Sequence, residues 1–334
     1  MLASLRMESP RIAVVGVGSF GKNHVRVIHE SPHAQLSGVM DANAGLAADF
    51  ASRFGCTSFS SLEDLARHSD AAVVATPTVS HSDLGCRLME LGLDVLVEKP
   101  IAPTIQEGSK LVDSAIRTGR ILAVGHLERF NPAVMALSSV VTVPLFFEIH
   151  RLSEFTPRSL DVDVVLDLMI HDLDIILSLT GKMPEEIRAA GISILTSKID
   201  LANVRLQFSG GCIANLTASR VSTERVRKLR LFQPHEYISL DYSRKDAIRF
   251  RVSPSPESAS GSIDFAPLEV SKDEPLRLEL EDFFTCIASR GKPRVSGKEG
   301  LAALEVATGI LAKIEEHSQL VQKTLGERKQ PSRP

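Results

Sequence analysis

The chain has 334 residues, 43% of them apolar and 24% charged, with a formal net charge of −3, so it is long enough for two domains and offers no basic surface for nucleic acid. Its four cysteines are scattered without a C-x-x-C pair, which argues against a disulfide framework or a zinc site and is typical of a reducing cytoplasm. No apolar run approaches the roughly 18 residues of a membrane span, and the opening MLASLRMESP lacks the apolar region of a signal peptide, so we expect a cytoplasmic protein with no membrane segment.

The first predicted element is a buried strand, RIAVV, followed by three glycines and a helical pattern. Gly16, Gly18 and Gly21 have G-x-G-x-x-G spacing. The first glycine allows a tight turn, the second lets a pyrophosphate approach the backbone, and the third lets the helix pack on the strand. The motif predicts a dinucleotide site that includes Ser19 and Phe20 and uses the helix N-terminus, although a simple glycine-rich turn has the same spacing.

The second predicted strand, AQLSGVM at 34–40, ends at Asp41, about twenty residues after the glycine motif. A carboxylate at this point accepts hydrogen bonds from the adenosine ribose hydroxyls. It also repels a 2′-phosphate, and Ala42 and Asn43 supply no arginine, so NAD is favoured over NADP. Asp41 can also be the N-cap of the next predicted helix, 44–54.

Strand and helix patterns then alternate as far as residue 125. The predicted strands are AAVVAT (71–76), DVLVEK (94–99) and ILAVG (121–125), and the predicted helices are 80–91 and 104–119. This order predicts an α/β Rossmann domain over 10–125, with a doubly wound parallel sheet. Ligands of such sheets bind beyond the carboxyl ends of the strands, where Gly16, Asp41, Thr76, Lys99 and Gly125 fall.

After residue 140 strand patterns follow one another directly. They predict an α+β domain over 126–322 with a large open, mostly antiparallel sheet, in which Gly210 and Gly211 form a hairpin turn. The other predicted segments are a helix at 161–181, a polar loop at 253–262, helices at 275–291 and 297–317 that pack back on the first domain, and a disordered tail at 323–334.

The helix at 161–181 is apolar on most of its surface and carries one polar stripe. At about 100° per residue, the stripe contains Asp163, Asp167, His171, Asp174 and Ser178. A solvated face would account for it, but an exposed stripe often mixes charge signs and this one has no Lys or Arg. Asp167 and His171 are i, i+4 neighbours, and a histidine, with a pKa near working pH, favours a catalytic role.

Three motifs together resemble the Gfo/Idh/MocA family of oxidoreductases. They are Gly16–Gly21, the segment TPTVSH from Thr76 to His81, and the tripeptide Glu98-Lys99-Pro100, which is the most specific. The resemblance implies a Rossmann domain joined to a domain with a large open sheet, and a homodimer or homotetramer. It places Thr76, Pro77, His81 and Glu98 at the cofactor and makes Lys99 both a substrate-binding and a catalytic residue. Without it, Lys99 fits a strand-end lysine partnered by Glu98 equally well.

The resemblance also assigns the catalytic pair D-x-x-x-H to Asp167 and His171, preceded here by Val164, Val165 and Leu166 where the family often has glycines. Oxidation of a secondary alcohol removes a proton from oxygen and a hydride from carbon, and NAD accepts the hydride. His171 is then the base, Asp167 orients it, and Lys99 stabilises the alkoxide, although His171 and Lys99 can exchange roles. No metal is needed, because Lys99 supplies the cation.

The segment GHLERFNP at 125–132 resembles the branch of the family that acts on nucleotide-linked amino sugars, the UDP-N-acetylglucosamine 3-dehydrogenases, which in some bacteria serve lipid A biosynthesis. This implies oxidation of UDP-GlcNAc to its 3-keto form. The implied substrate-binding residues are His126, Arg129, Phe130, Asn131 and Arg158, together with Lys99 and His171.

Not every polar residue in these segments has to contact a substrate. Basic residues in 219–232 can also bind a diphosphate, but alternating charges on a strand usually form a solvated face. Asn131 before Pro132 can simply cap a helix. An inositol or free-sugar dehydrogenase of the same family is an alternative function, and so is a non-catalytic NAD(H)-binding sensor.

Overall fold

The computed structural model describes residues 9–156, 162–255 and 258–328. The chain forms two compact units. The first contains the residues up to Phe130 and Asp273–Leu301, and the second contains Asn131–Lys272 and the residues from Ala302 onward. Arg158 lies outside the described residues, so its predicted role stays a prediction.

The strands are β1 Arg11–Val15, β2 Gln35–Met40, β3 Thr57–Ser58, β4 Ala71–Val74, β5 Asp94–Glu98, β6 Leu122–Gly125, β7 Phe146–Leu152, β8 Pro184–Ile192, β9 Leu201–Phe208, β10 Ile213–Ser219, β11 Val226–Gln233, β12 Glu236–Asp241, β13 Asp246–Ser255 and β14 Ser258–Pro267. The α-helices are α1 Gly21–Glu30, α2 Ala44–Phe54, α3 Leu62–His68, α4 His81–Glu90, α5 Ile105–Thr118, α6 Pro132–Ser138, α7 Ile170–Thr180, α8 Pro275–Ser289 and α9 Gly297–Arg328. Within the described ranges, none of the helices is both long enough and apolar enough to cross a bilayer.

The first unit is a doubly wound parallel sheet, as predicted, and its strand order is β3-β2-β1-β4-β5-β6. β1 and β4 are buried almost completely, because helices cover both faces of a parallel sheet. α8 supplies Leu280 and Phe283 to the same apolar core. The order reverses between β1 and β4, and ligands of such sheets bind at that point.

The second unit is built on an eight-stranded sheet with order β14-β13-β12-β11-β7-β10-β9-β8. Among the described strands of this sheet only β7 and β10 pair in parallel, which confirms the predicted mostly antiparallel arrangement. Alternate residues face a core that includes side chains of α6, α7 and α9. Gly210 and Gly211, both with φ of +88°, form the predicted turn between β9 and β10.

Three predicted segments differ in the structure. The helix predicted at 161–181 begins with a π-helical turn, Val165–Met169, before α7, because Ile170 N–H bonds the carbonyl of Val165 five residues earlier. The loop predicted at 253–262 falls in β13 and β14, whose backbone pairing does not require apolar side chains; residues 256 and 257 are not described. α9 continues to Arg328, into the segment predicted to be disordered, and residues 329–334 lie outside the described ranges. From Ala302 onward α9 belongs to the second unit and its core, so the prediction that the last helices pack on the first domain is right for α8 and wrong for most of α9.

Candidate active site

The glycine motif forms the turn between β1 and α1, and its three glycines have different reasons to be glycine. Gly16 has φ of +90°, and a Cβ there would lie 2.8 Å from the carbonyl oxygen of Ala75. A Cβ on Gly21 would lie 1.8 Å from the carbonyl oxygen of Gly16, so these two positions are fixed by backbone packing. A Cβ on Gly18 meets no described atom within 4 Å, and its φ is not positive.

The open space at Gly18 fits a dinucleotide. The protein itself does not require a glycine there, whereas a ligand that approaches the backbone does. Ser19 and Phe20, which follow Gly18 before α1 begins, are exposed like Gly18. The α1 amides at this end are a favourable place for a pyrophosphate.

Asp41 lies at the end of β2, beside the glycine turn. Its Oδ2 accepts a hydrogen bond from the N–H of Val17 at 2.8 Å, and its Oδ1 accepts from the N–H of Asn43 at 2.9 Å. The N-cap of α2 is Asn43, whose side chain accepts from Leu46 N–H, so the alternative that Asp41 caps this helix is wrong. Asp41 is held next to the glycine turn, where a ribose hydroxyl of a dinucleotide can reach its remaining lone pairs.

The TPTVSH segment follows β4 as a turn and leads into α4. Thr76 is partly exposed and Pro77 exposed, but His81 is fully buried. The two ring nitrogens of His81 lie 2.9 Å from the carbonyl oxygen of Thr76 and 3.0 Å from that of Pro100. Because both nitrogens are used within the protein, we revise the role of His81: it joins the two turns instead of offering a hydrogen bond to a cofactor.

Glu98 is the last residue of β5, Lys99 and Pro100 follow it, and the Lys99–Pro100 peptide bond is cis. Oε1 of Glu98 lies 2.7 Å from Nε2 of the buried His24 on α1, and its Oε2 accepts from the backbone N–H of Lys99 at 3.3 Å. A Cβ on Gly125 would lie 2.9 Å from the same carboxylate. Glu98 is thus turned towards α1 and β6, which makes it a support of the Lys99 turn.

Glu279 on α8 lies in the same cluster, with His24, Glu98 and Glu279 offering atoms within 4.8 Å of one another. We assign no metal to this group. The 2.7 Å separation between Nε2 of His24 and Oε1 of Glu98 is that of a hydrogen bond, and two tetrahedral zinc ligands about 2.0 Å from an ion lie roughly 3.3 Å apart.

The segment after β6 contains four of the predicted substrate residues, and most of them are buried. Burial, with the charges of Lys99 and Arg129, lowers the pKa of His126 to about 3, so this imidazole is neutral. Phe130 is buried, with the guanidinium of Arg294 5.8 Å from its ring centre. Arg129 is partly exposed and is the best placed of the four for contact with a ligand.

Asn131 has a structural role that the sequence already allowed. Its side chain accepts a hydrogen bond from Ala133 N–H at 3.1 Å, and Pro132 occupies the first position of α6. With 4% of its surface exposed, Asn131 is a helix cap in this structure. Arg220 and Arg230, from the basic segment 219–232, also have structural partners, the carbonyl of Val162 and the carboxylate of Glu148.

In the second unit the predicted polar stripe divides into different environments. Asp167, in the π-helical turn, and His171, in α7, are both partly exposed, whereas Asp174 is buried and Ser178 exposed. Asp163 accepts a hydrogen bond from Ile199 N–H at 2.8 Å. A continuous solvated face is therefore wrong, and the predicted catalytic pair, Asp167 and His171, remains accessible to a ligand.

Two buried polar pairs, one in each unit, were not predicted from the sequence. The His24 side chain is hydrogen-bonded to Glu98, 74 residues later in the chain, and the Arg151 side chain is hydrogen-bonded to Asp172, 21 residues later. Neither pair has a characteristic spacing, because the partners come together only through the fold. The position of His24 just after the glycine motif and that of Asp172 just after His171 are the only signals that the sequence offered.

Two family models match the chain. Residues 10–126 match the model described as an oxidoreductase family with an NAD-binding Rossmann fold, and residues 136–233 match the GFO/IDH/MocA C-terminal domain. The chain belongs to the Gfo/Idh/MocA family. It is therefore an NAD-dependent oxidoreductase whose NAD-binding Rossmann fold spans residues 10–126, which confirms the predicted family, enzyme class and cofactor.

Several members of the Gfo/Idh/MocA family are similar over most of their length. The UDP-N-acetylglucosamine 3-dehydrogenase of Acidithiobacillus ferrooxidans is 36% identical over 307 residues, 91% of this chain and 97% of that protein. A solved structure of that enzyme superposes with a TM-score of 0.86, covering 93% of this chain and 99% of its own. The inositol 2-dehydrogenase of Rhizobium meliloti is 26% identical over 93% of this chain and 98% of that protein.

A levoglucosan dehydrogenase solved with NADH and levoglucosan has the same fold. Its TM-score is 0.82 at 18% identity, covering 92% of this chain and 97% of its own.

Proposed function

We propose that the protein oxidises a secondary hydroxyl of a sugar nucleotide, converting UDP-GlcNAc to its 3-keto form. The observation that carries this proposal is the 36% identity, over 91% of the chain, with a UDP-N-acetylglucosamine 3-dehydrogenase. The inositol 2-dehydrogenase reaches only 26% over a similar length. The GHLERFNP segment supports the same substrate class, and through it a place in lipid A biosynthesis.

The residues of the first unit fit NAD. Gly18, Ser19 and Phe20, at the start of α1, would hold the pyrophosphate, Asp41 the adenosine ribose, and Thr76 and Pro77 the nicotinamide side. When bound, NAD supplies the hydride acceptor.

The side chains of this chain supply the proton chemistry. His171 accepts the proton of the substrate hydroxyl as general base, and Asp167 orients the imidazole. Lys99 holds the same oxygen and stabilises the negative charge that develops on it. Arg129 and Arg158 are the candidates for the substrate diphosphate, which favours planar, bidentate cations.

Two further properties belong to the proposal. The four cysteines are free thiols in the structure, which supports a reducing compartment such as the cytoplasm. The outer face of the eight-stranded sheet carries a row of aromatic side chains, which supports a homodimer or homotetramer.

The substrate is tested by incubating the protein with NAD and a panel of UDP-sugars, inositols and aldoses, while the absorbance of reduced nicotinamide is followed. A ketone trap or an aminotransferase removes the product, because the equilibrium can lie against oxidation. Turnover with UDP-GlcNAc is expected. Turnover with inositols alone would replace the proposed substrate, and tight NAD binding without any turnover would indicate a sensor.

The role of Lys99 is tested by Lys99→Met, which keeps most of the side chain and removes its charge. We expect kcat to fall about 10²- to 10³-fold, the usual loss when one group that stabilises the developing oxyanion is removed. NAD affinity, measured by titration calorimetry, should change little. Lys110→Met, an exposed lysine of the same unit, is the control. Near-normal turnover of Lys99→Met would end this assignment.

A further inference from the structure

An arginine is buried on the inner face of the second unit's sheet, where an apolar side chain is expected. Phe147, Ile149 and Arg151 are alternate residues of β7 and face the same side. The first two belong to the apolar core, and Arg151 is as deeply buried, with 2% of its surface exposed. Its partner is Asp172 of α7, which is 1% exposed.

The two side chains form a bidentate ion pair. Nε of Arg151 donates to Oδ2 of Asp172 and Nη2 donates to Oδ1, both at 2.8 Å. The hydroxyl of Tyr242 donates to the same Oδ1 at 3.3 Å, and the Arg151 guanidinium lies 5.0 Å from the centre of the Tyr242 ring. Tyr242 is itself buried, so the three side chains form one group inside the core.

Stability alone does not explain this group. Two charges lose their hydration when they are buried, and apolar residues of similar volume often stabilise a protein as well or better. A planar bidentate pair supplies what apolar packing does not, which is a fixed direction and a fixed distance. The pair therefore specifies how α7 faces β7.

α7 needs such a fixed direction because its apolar contacts do not supply one. Residues 172–176 are all buried and, at about 100° per residue, they surround the helix axis, so burial favours no single rotation strongly. The N-cap residue, Met169, makes no side-chain hydrogen bond with described residues, and a π-helical turn comes before it. The bonds of Asp172 to Arg151 and Tyr242 are directional.

We propose that Arg151, Asp172 and Tyr242 are positioning residues that fix the rotation of α7 and thereby the direction of the His171 imidazole. Asp172 is the next residue after His171, so the two side chains leave the helix about 100° apart. With Asp172 held against β7, His171 is directed to the partly exposed side of the helix. The proposal rests on the role of His171 in the proposed function.

The decisive variant replaces the pair by apolar residues, Arg151→Met with Asp172→Leu. Because no charge is left unpaired, it should fold with a thermal midpoint close to that of the wild type, and NAD affinity should be unchanged. We expect kcat to fall about 10- to 100-fold, the range produced by a misplacement of about 1 Å at a reacting group. A wild-type kcat in the folded variant would overturn the proposal.

If the double variant does not fold, Arg151→Lys tests the positioning role instead. It keeps the buried charge but replaces the planar fork by a single ammonium group, so that one of the two parallel bonds is lost. The expected result is a folded protein with kcat lowered at least fivefold and unchanged NAD affinity, and an unaltered kcat would contradict the proposal. Lys313→Ala with Glu316→Ala removes an exposed ion pair of the same unit as a control.

A readout without substrate separates this proposal from the proposed function. In histidine-labelled protein, the His171 ring signal is identified by its loss from the NMR spectrum of His171→Asn. It should shift in the Arg151→Met, Asp172→Leu variant and stay in place in the control, and an unmoved signal would overturn the positioning role even if no substrate is found. Wild-type activity of His171→Asn would instead refute the assignment of His171 as base.

Discussion

Gly18 and Gly21 belong to one motif, but an alanine substitution is expected to have a different effect at each. At Gly18 it should weaken NAD binding, and at Gly21 it should destabilise the fold. The surroundings of Gly18 are open to a Cβ, whereas a Cβ on Gly21 would lie 1.8 Å from the carbonyl oxygen of Gly16. Gly18→Ala should therefore leave the free energy of unfolding within about 0.5 kcal/mol of wild type and weaken NAD binding at least tenfold, because the methyl group occupies the space of the pyrophosphate.

Gly21→Ala should lower the free energy of unfolding by about 1–3 kcal/mol, since the overlap forces α1 away from β1. Urea unfolding without cofactor and NAD titration separate the two effects. Equal destabilisation by both substitutions would show that Gly18 is also required by the fold. Strong NAD binding by Gly18→Ala would remove the assigned pyrophosphate position.

The residues proposed to act chemically could be found in the sequence, but the residues whose role depends on burial could not. Lys99 ends a strand next to a proline, and Asp167 and His171 share a helical spacing, so local patterns indicate them. His81 and His126 also lie in recognisable motifs, yet both are fully buried. Whether a histidine faces a ligand or the interior depends on long-range packing, which no local spacing encodes.

At the scale of elements, the start of the helix that carries His171 depends on a loop organised by one carboxylate. Asp200 is fully buried and accepts hydrogen bonds from the N–H groups of Ile194 and Leu195, both at 2.7 Å, and from the N–H and hydroxyl of Thr196. The same loop reaches Ile199, which is bonded to Asp163 just before the π-helical turn.

Because the pKa of Asp200 is shifted in the folded protein, the contribution of this loop to stability should depend on pH. Burial acts to raise that pKa, but the hydrogen bonds from Thr196, Ile194 and Leu195 outweigh burial and lower it from 3.8 to about 2. A carboxylate with a depressed folded-state pKa stabilises the protein above its unfolded pKa and loses that contribution as pH falls through the folded value. Asp200 should therefore contribute about 2 kcal/mol above pH 4, lost between about pH 4 and pH 2.

Asp200→Asn tests this contribution. The free energy of unfolding should fall by about 2 kcal/mol at pH 7, and the difference from wild type should shrink as pH falls to 2. Urea denaturation at several pH values measures both. Asp264→Asn, on β14, controls for the loss of any one carboxylate. A difference from wild type that is independent of pH would contradict the assigned pKa.

Elements with strong periodicity were predictable, and elements set by tertiary contacts were not. The parallel strands of the first unit are continuous apolar runs, and the glycine pair at 210–211 marks its hairpin directly. The π-helical turn arises where buried Val165 and Met169 pack in the core, and helical spacing in the sequence cannot distinguish it from a regular turn. β13 and β14 contain a Ser- and Pro-rich stretch that is typical of a loop, and pairing between the strands overrides this composition.

At the scale of the whole molecule, the order of the elements in the sequence specifies the two sheets but not the path of the chain between the units. Strand–helix alternation predicts the parallel sheet, and consecutive strands predict the antiparallel one. α8 belongs to the first unit although it follows the eight-stranded sheet in sequence, because Leu280 and Phe283 complete the Rossmann core. The substrate is less predictable still, since the side chains proposed to bind it, such as Lys99, Arg129 and His171, are far apart in the chain.

The outer face of the eight-stranded sheet carries an aromatic row that crosses five strands. The rings of Phe146, Phe232, Tyr237, Phe250 and Phe265 follow one another at centroid distances of 5.8, 4.8, 5.1 and 5.1 Å. Phe232 is 38% and Phe265 63% exposed. Contiguous exposed apolar surface of this kind marks an interaction site, and a second copy of the chain can cover it with the same face, as twofold symmetry requires.

Charged substitutions in this row should therefore separate the copies. We expect the wild-type protein to sediment as a dimer or tetramer, and Phe232→Glu with Phe265→Glu to sediment as a monomer with an unchanged circular dichroism spectrum, because unpaired buried carboxylates oppose association. Ile116→Glu, which changes an exposed apolar residue of the first unit, should leave the assembly intact. A wild-type monomer, or a double variant that keeps its size, would mean that the aromatic row is not the surface on which two copies meet.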